Sequence, residues 1–220
     1  MKQGKICVKY NSIRIMKILL INGSPKREGN TYVALHEVQK TLEAEGIEVE
    51  LIHVGHKNIH GCIACNRCKE LGKCVFDDIV NEVAPKFEQA DGIVVGSPVY
   101  YASPNGTLLS FLDRLFYSTS FDKSMKVGAA VAVARRGGTT ATFDVLNKYF
   151  TISNMPVAPS QYWNNVHGGT PGEALQDGEG LQTMRQLARN MAFLVKSIQL
   201  GKEKFGLPGH EERIATNFIR

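Results

Sequence analysis

The sequence predicts an α/β protein built on a doubly wound parallel sheet of five strands, ordered 2-1-3-4-5, with helices on both faces. Three observations lead there. Short runs rich in Ile, Leu and Val lack the apolar–polar alternation of a half-exposed strand, as expected for strands buried on both faces. Segments with apolar residues at helical spacing separate these runs. Loops containing Gly follow the first, third and fourth runs, so they reach the same edge of the sheet.

The first strand, Lys17 to Asn22, enters Gly23-Ser24-Pro25-Lys26-Arg27-Glu28-Gly29-Asn30-Thr31 and then a helix with Leu35, Val38 and Leu42 on one face, stopping near Gly46. Hydroxyl, amide and cationic side chains therefore meet the free N–H groups and positive dipole of a helix start, a setting suited to a phosphate monoester. Ser24, Lys26, Arg27, Asn30 and Thr31 are the candidate contacts. The loop lacks the Gly-x-Gly-x-x-Gly of dinucleotide sites and the Gly-Lys-Ser/Thr of a P-loop.

Val49 to Val54 reads as the second strand, followed by a long polar loop from His53 to Cys74. Loops of that length inside a domain are functional or disordered. Asp77 and Asp78 are placed to cap a helix with Ile79, Val83 and Phe87 at helical spacing. Asp91 to Gly96 is the third strand, and it delivers Ser97-Pro98-Val99-Tyr100-Tyr101-Ala102-Ser103-Pro104-Asn105-Gly106 at its carboxyl end. Pro98, Val99, Tyr100 and Tyr101 offer a rigid, apolar and aromatic platform for a flat ring. The next helix, with Leu108, Leu112 and Leu115 on one side, reads as core packing.

Val127 to Val133 makes the fourth strand and ends in Ala134-Arg135-Arg136-Gly137-Gly138. Of this loop, Arg136 and Gly137 are the candidate ligand contacts, the glycine permitting close backbone approach. A helix from about residue 142 to 150 and a fifth strand at Met155 to Ala158 follow. Ser160 to Gly180 is irregular and contains the only Trp, Trp163. A last helix repeats Met184, Leu187, Met191, Leu194 and Ile198.

Gly-Ser-Pro-Lys-Arg-Glu-Gly-Asn-Thr at 23–31 and Gly-Ser-Pro-Val-Tyr-Tyr followed by Ser-Pro-Asn-Gly at 96–106 resemble the flavodoxin-like NADPH-dependent FMN reductases. The resemblance runs from Met16 through nearly all of the remaining chain. It implies a flavodoxin-like FMN-binding domain, with the first loop on the FMN phosphate and the second on the flavin ring. Lys26 stands where the family usually has Arg, which keeps the charge but loses a bidentate fork. The segment around Trp163 resembles one near the flavin edge, although a lone Trp more often serves packing.

Four of the five cysteines lie at Cys62, Cys65, Cys68 and Cys74, spaced Cys-x2-Cys-x2-Cys-x5-Cys. Thiolates this close point to metal, and the first three resemble the compact ferredoxin run that wraps an iron-sulfur cubane. Zinc more often uses two Cys pairs separated by a finger, and idle or oxidised thiols are the other alternative. His53, His56 and His60 approach the cysteines but read as exposed loop residues. Cys7 has no partner pattern. The spacing resembles the iron-sulfur flavoproteins within the same family, which implies a 4Fe-4S cluster exchanging single electrons with FMN.

The resulting expectation is an FMN-dependent oxidoreductase carrying that cluster, with NAD(P)H, a redox partner protein or a small acceptor exchanging electrons with it. The flavin does the redox chemistry, so no side chain is assigned as catalytic. A cluster-free NAD(P)H-dependent FMN or quinone reductase and a zinc-bearing binding module on the same fold are the alternatives. By resemblance, the subunits form a homodimer or homotetramer.

The formal charge of +5 arises mostly from residues 1–15, which carry Lys2, Lys5, Lys9 and Arg14 and no acid; the other 22 basic and 21 acidic residues leave +1. Without a basic, aromatic-rich patch, nucleic acid is set aside as a partner. No run approaches the roughly 20 apolar residues of a membrane span, and residues 1–15 lack the pattern of a signal peptide, so a cytoplasmic protein is expected. Met16 looks like a true start, making residues 1–15 a disordered or non-native extension. The domain is expected over 16–201, with 202–220 as a tail.

Overall fold

The computed structural model describes residues 14–212, 214–216 and 218, so Cys7 and nearly all of the expected extension lie outside the described residues. Strand β1, Lys17–Asn22, lies inside the parallel sheet, paired on both sides and covered on both faces. It pairs with β2, Glu48–His53, on one side and with β3, Gly92–Tyr100, on the other. Strand β5, Val127–Ala134, continues the sheet beyond β3, and β6, Asn165–His167, completes it. The order β2-β1-β3-β5-β6 is the expected 2-1-3-4-5 arrangement.

Alternation along β1 divides the core between two layers of helices. Ile18 and Leu20 point to the face covered by α1, Asn30–Ala44, and α6, Gly178–Phe205. Leu19 and Ile21 point to the opposite face, covered by α3, Ile79–Gln89, α4, Gly106–Ser118, and α5, Thr139–Ile152. All four side chains are fully buried. Burial of each contributes about 1.5–3 kcal/mol, and this two-sided demand removes polar residues from the run. Val38 and Leu42 of α1 meet Leu187 and Met191 of α6 in the first layer, and Phe87, Phe111 and Phe150 anchor the second.

Two expectations about the sheet are corrected. It has six strands, because β4, Ser103–Pro104, turns back antiparallel on β3, pairing Val99 with Pro104 and Tyr100 with Ser103. The two residues of this hairpin turn, Tyr101 and Ala102, have φ of 49° and 57°, so the turn's handedness is enforced without the usual Asn-Gly. The fifth position is also not filled by Met155 to Ala158. That stretch makes only an isolated bridge, Val157 to Gly128, and the strand proper is β6, where Asn165 pairs with Ala132. Pairing advances four residues along β5 while the partner advances eight, so 159–164 bulges out of the sheet. Asn164, buried, pins the return by donating to the Ala130 carbonyl at 3.0 Å.

The last helix repeats its apolar residues as the sequence implies but continues to Phe205. Arg14 is bridged to Asp91 at 3.0 Å, which ties the start of the described chain to the foot of β3.

Candidate functional site

Four loops, not three, meet at the carboxyl edge of the sheet around a cleft of about 210 Å3. Ser24, Lys26, Gly29, Asn30 and Thr31 line one wall, and Pro98, Val99 and Tyr100 the second. Ala134 and Arg135 come from the end of β5, and Gly168, Gly169 and Pro171 from the loop after β6.

The first loop is held by Asn22, buried at the end of β1. Its Oδ1 accepts from the Ser24 N–H at 3.0 Å, and its Nδ2 donates to the Arg27 carbonyl at 3.2 Å. The Lys26 N–H donates to Ser24 Oγ at 3.1 Å. Helix α1 then starts from Gly29 with no side-chain cap and no acid in its first turn. An uncapped helix start of this kind leaves N–H donors and positive potential for an anion. Lys26, at the cleft wall, adds a full charge.

The Asn30 side chain is committed to the protein itself. Its amide donates to the Thr170 carbonyl at 2.8 Å, and its oxygen accepts from the Ala174 N–H at 3.1 Å. It thereby clamps the fourth loop against the first. Glu173, opening the short 3-10 helix Glu173–Gln176, braces that loop by accepting from the N–H groups of Gly169 and Thr170. These hydrogen bonds hold its carboxyl below the usual carboxylate range.

The second loop is fixed at Ser97, whose hydroxyl donates to the Pro98 carbonyl at 2.8 Å and accepts from the Asn105 N–H at 2.9 Å. Asn105 caps α4 through the Leu108 N–H. Gly138, at φ +89°, packs beneath the hairpin, and a Cβ there would stand 2.9 Å from both Ala102 Cα and Val99 Cγ1. Only glycine combines that backbone angle with that approach.

Of the residues singled out in sequence, Ser24, Lys26, Asn30, Thr31, Pro98, Val99 and Tyr100 line the cleft. Arg27, Tyr101, Arg136 and Gly137 are not among its lining residues, and Arg135 occupies the position considered for Arg136. Tyr101 projects fully into solvent from the turn. Trp163 is exposed and packs on Tyr162 in the bulge, at 5.0 Å between rings.

The cysteines form a second centre. Cys62, Cys65, Cys68 and Cys74 all line one small pocket with Ile63, Val75, Phe76, Arg114, Tyr117 and Ser118. Its volume is about 20 Å3, room for about one water. A larger group would enter only if the loop spread. Cys62 and Cys65 are exposed, and Ala64 and Asn66 between the cysteines sit at φ 52° and 58°. Such backbone strain is retained where the surroundings enforce it and clusters at functional sites. Tyr117 Oη braces the second of these residues by donating to Asn66 Oδ1 at 2.8 Å. The helix α2, Cys68–Leu71, is a single turn closed by Gly72.

The other side of the pocket is rigid. The Cys74 N–H donates to Asn81 Oδ1, and Asn81 Nδ2 donates to the carbonyls of Cys74 and Phe76, each at 3.0 Å. Arg114, 1% exposed, reaches in from α4. Its Nη1 and Nη2 grip the Asp78 carboxylate at 2.6 and 2.9 Å and also donate to the carbonyls of His60 and Phe76. Its Nε donates to Cys74 Sγ at 3.2 Å. Burial works against the guanidinium's charge, but Asp78 and Cys74 outweigh it and raise its pKa. Asp78 caps α3 through the Val80 N–H, as its sequence position implies, and pairs with Arg114 as well. Ser118 Oγ is buried in the pocket wall without a hydrogen-bond partner.

The loop that carries the cysteines starts against the first wall of the cleft. Val54 and Gly55, where the cysteine loop begins, donate to the Asn22 carbonyl, and a Cβ on Gly55 would fall 2.3 Å from the carbonyl oxygens of Gly23 and Ser24. His53 Nε2 lies 2.6 Å from the Ser24 carbonyl, which makes it the protonated nitrogen. His53 also stacks on the exposed His56 at 4.2 Å. Burial lowers the His56 pKa, as do its neighbours His53, Lys57 and Arg27. His60 stacks on Phe76, at 4.8 Å between rings.

Residues 16–169 match the sequence profile of the family described as NADPH-dependent FMN reductase. The chain belongs to that family. An iron-sulfur flavoprotein from Methanocaldococcus jannaschii is 39% identical over 192 residues, covering 84% of this chain and all of the relative. One from Methanosarcina thermophila is 30% identical, covering 86% of this chain and all of that one. A flavodoxin from the domain Archaea superposes with a TM-score of 0.57 at 17% identity, over 82% of this chain and 99% of its own. The FMN reductase fold is thus flavodoxin-like, and the chain is a flavin-dependent oxidoreductase whose near relatives carry the name iron-sulfur flavoprotein. Among the described residues no helix is long and apolar enough to cross a membrane.

Two groups of residues were missed in sequence. The loop at 168–174 was read only as irregular, though its glycines beside Thr and Pro mark a loop that can approach a ligand closely. Arg114 lay hidden in a helix read as packing, and a lone cation between Asp113 and Leu115 gives no local signal.

Proposed function

We propose that the protein is an iron-sulfur flavoprotein, passing electrons between FMN in the four-loop cleft and a 4Fe-4S cluster on Cys62, Cys65, Cys68 and Cys74. The observation carrying this reading is the convergence of all four cysteines on one pocket against α4, the helix whose N-cap Asn105 braces Ser97 at the base of the cleft's second wall. From Gly106 to Arg114 the helix rises about 12 Å, so the two centres lie close together.

The chemistry of both sites suits these groups. The uncapped start of α1 and Lys26 suit the FMN phosphate, Pro98 to Tyr100 give the ring a flat apolar wall, and Arg135 adds positive charge. FMN exchanges electrons singly or as hydride, and an iron-sulfur cluster singly. The cysteine pocket offers four sulfurs, apolar walls, an N–H donor already on one sulfur and an unpartnered hydroxyl. Among the described residues no group of three or more His, Cys, Asp or Glu side chains is already arranged to hold a metal ion, so the cysteine loop would have to rearrange around the cluster. The names of the relatives support an iron-sulfur cluster.

NAD(P)H or a redox partner protein supplies or removes electrons at the open cleft. Exposed Tyr100, Tyr101, Tyr162 and Trp163 support a homodimer or homotetramer. The test is the visible spectrum of anaerobically purified protein before and after dithionite, with FMN, iron and acid-labile sulfide assayed on one sample. Flavin bands over a broad shoulder that bleaches on reduction, with about four irons per chain, are expected. Flavin without iron would leave an NAD(P)H-dependent FMN or quinone reductase.

A further inference from the structure

The guanidinium of Arg114 is unusual in that every one of its five N–H groups has an acceptor. Asp78 takes the outer fork, the carbonyls of His60 and Phe76 take the remaining Nη hydrogens, and Cys74 Sγ takes Nε–H. A group so fully bonded has no freedom to turn away. Its cation–π contact with Phe76, 4.9 Å from the ring centroid, covers one face as well. The backbone that carries the sulfur is fixed as well, because Asn81 holds both the N–H and the carbonyl of Cys74. When the loop spreads to take a larger group, Cys62 and Cys65 are the exposed members able to move, while Cys74 and Arg114 form the fixed wall.

A thiolate carries negative charge, and a centre ligated by thiolates gains more on reduction. A positive N–H donor fixed on one ligating sulfur stabilises the more negative state, since hydrogen bonds to sulfur and local charge set such potentials. Resting on the proposed iron-sulfur reading, we infer that Arg114 is a positioning residue. Acting through Cys74 Sγ, it holds the fixed corner of the four-cysteine centre and raises its reduction potential. On reduction one electron passes from a donor such as dithionite or reduced flavin to the centre. The Nε–H stays on Arg114, its hydrogen bond to sulfur strengthens, and no covalent bond forms or breaks. Asp78 keeps the guanidinium aimed, and lysine cannot replace it, having one ammonium and no fork.

The experiment uses full-length, anaerobically purified protein carrying iron and acid-labile sulfide. In protein labelled with 15N-arginine, electron spin-echo modulation of the reduced centre should carry a 15N coupling. The coupling should persist in Arg67→Lys, which changes the arginine beside Cys68, and vanish in Arg114→Lys. A potentiometric titration followed by electron paramagnetic resonance should give Arg114→Lys a more negative midpoint than wild type. Iron-loaded wild type without the coupling, or an unshifted midpoint in Arg114→Lys, overturns the inference alone. Should Arg114→Lys lose its iron, the labelled wild type decides. Wild type that never takes up iron overturns the electron-transfer reading and this inference together.

Discussion

The Asn30 amide donates to the Thr170 carbonyl at 2.8 Å across 140 residues of sequence. With the return bond from the Ala174 N–H, one side chain joins the first and last walls of the cleft. Asn30→Ala removes both bonds, at a cost of about 1–3 kcal/mol, and frees the 168–174 loop. Weaker FMN binding, read by flavin fluorescence on dilution, should accompany the lower midpoint in urea. Unchanged FMN affinity would show that the fourth loop plays no part in holding the cofactor.

Gly138 tests the ring wall. Its backbone angle and the 2.9 Å approach to Val99 and Ala102 leave no room for a side chain. Gly138→Ala should push the 98–102 hairpin toward the cleft, so FMN occupancy after purification should fall while the far-ultraviolet circular dichroism stays native. Full occupancy would locate the flavin ring elsewhere.

Ser118→Ala compares the cysteine pocket with and without the proposed cluster. The buried hydroxyl has no partner, and desolvating it costs about 1–3 kcal/mol. Iron-free Ser118→Ala should therefore melt at or above the iron-free wild type. If the hydroxyl bonds to a bound cluster, the advantage should disappear or reverse in the iron-loaded forms. Equal shifts in both forms would remove Ser118 from the proposed cluster site.

Glu37 couples the helix that opens on the cleft to the helix that closes the domain, accepting from Arg185 at 2.6 Å and bridging Lys40 at 2.8 Å. Burial alone would raise its pKa, but the bonds to Lys40 and Arg185 outweigh this and lower it. A carboxyl depressed in the folded state contributes stability above its unfolded pKa of about 4.3, and that contribution is lost as pH falls through the folded value. Glu37→Gln should accordingly lower stability at pH 7 and flatten the acid limb below about pH 4. Parallel pH–stability curves for the two proteins would contradict this.

The strands and most helices were legible in the sequence because two-sided burial leaves an unmistakable local record: Ile18 to Ile21 has no polar residue, and Val127 to Ala134 none either. The first two walls of the cleft were equally plain, since Gly23 to Thr31 and Pro98 to Tyr100 are contiguous. The rest depends on distant pairs. Arg114 meets Asp78 across 36 residues and His60 across 54, and nothing near it in sequence distinguishes it from a solvated cation. The hairpin at Tyr101 and Ala102 was missed because neither residue favours positive φ. The fifth strand was misplaced because Met155 to Ala158 is the more apolar piece. Asn165 to His167 owes its place to the partner offered by β5 and to Asn164.

The bulge at 159–164 leaves the outer margin of the sheet with a single bridge and a three-residue strand. At the opposite margin β2 carries Glu48 and Glu50, both bridged to Lys17, with Glu50 also held by Lys86. Neither margin presents a long, flat, apolar row of unpaired backbone groups, the template on which open sheets add strands from other molecules. A chain crowded in the cell is therefore guarded against strand-by-strand aggregation by the same interruption that made its last strand hard to find.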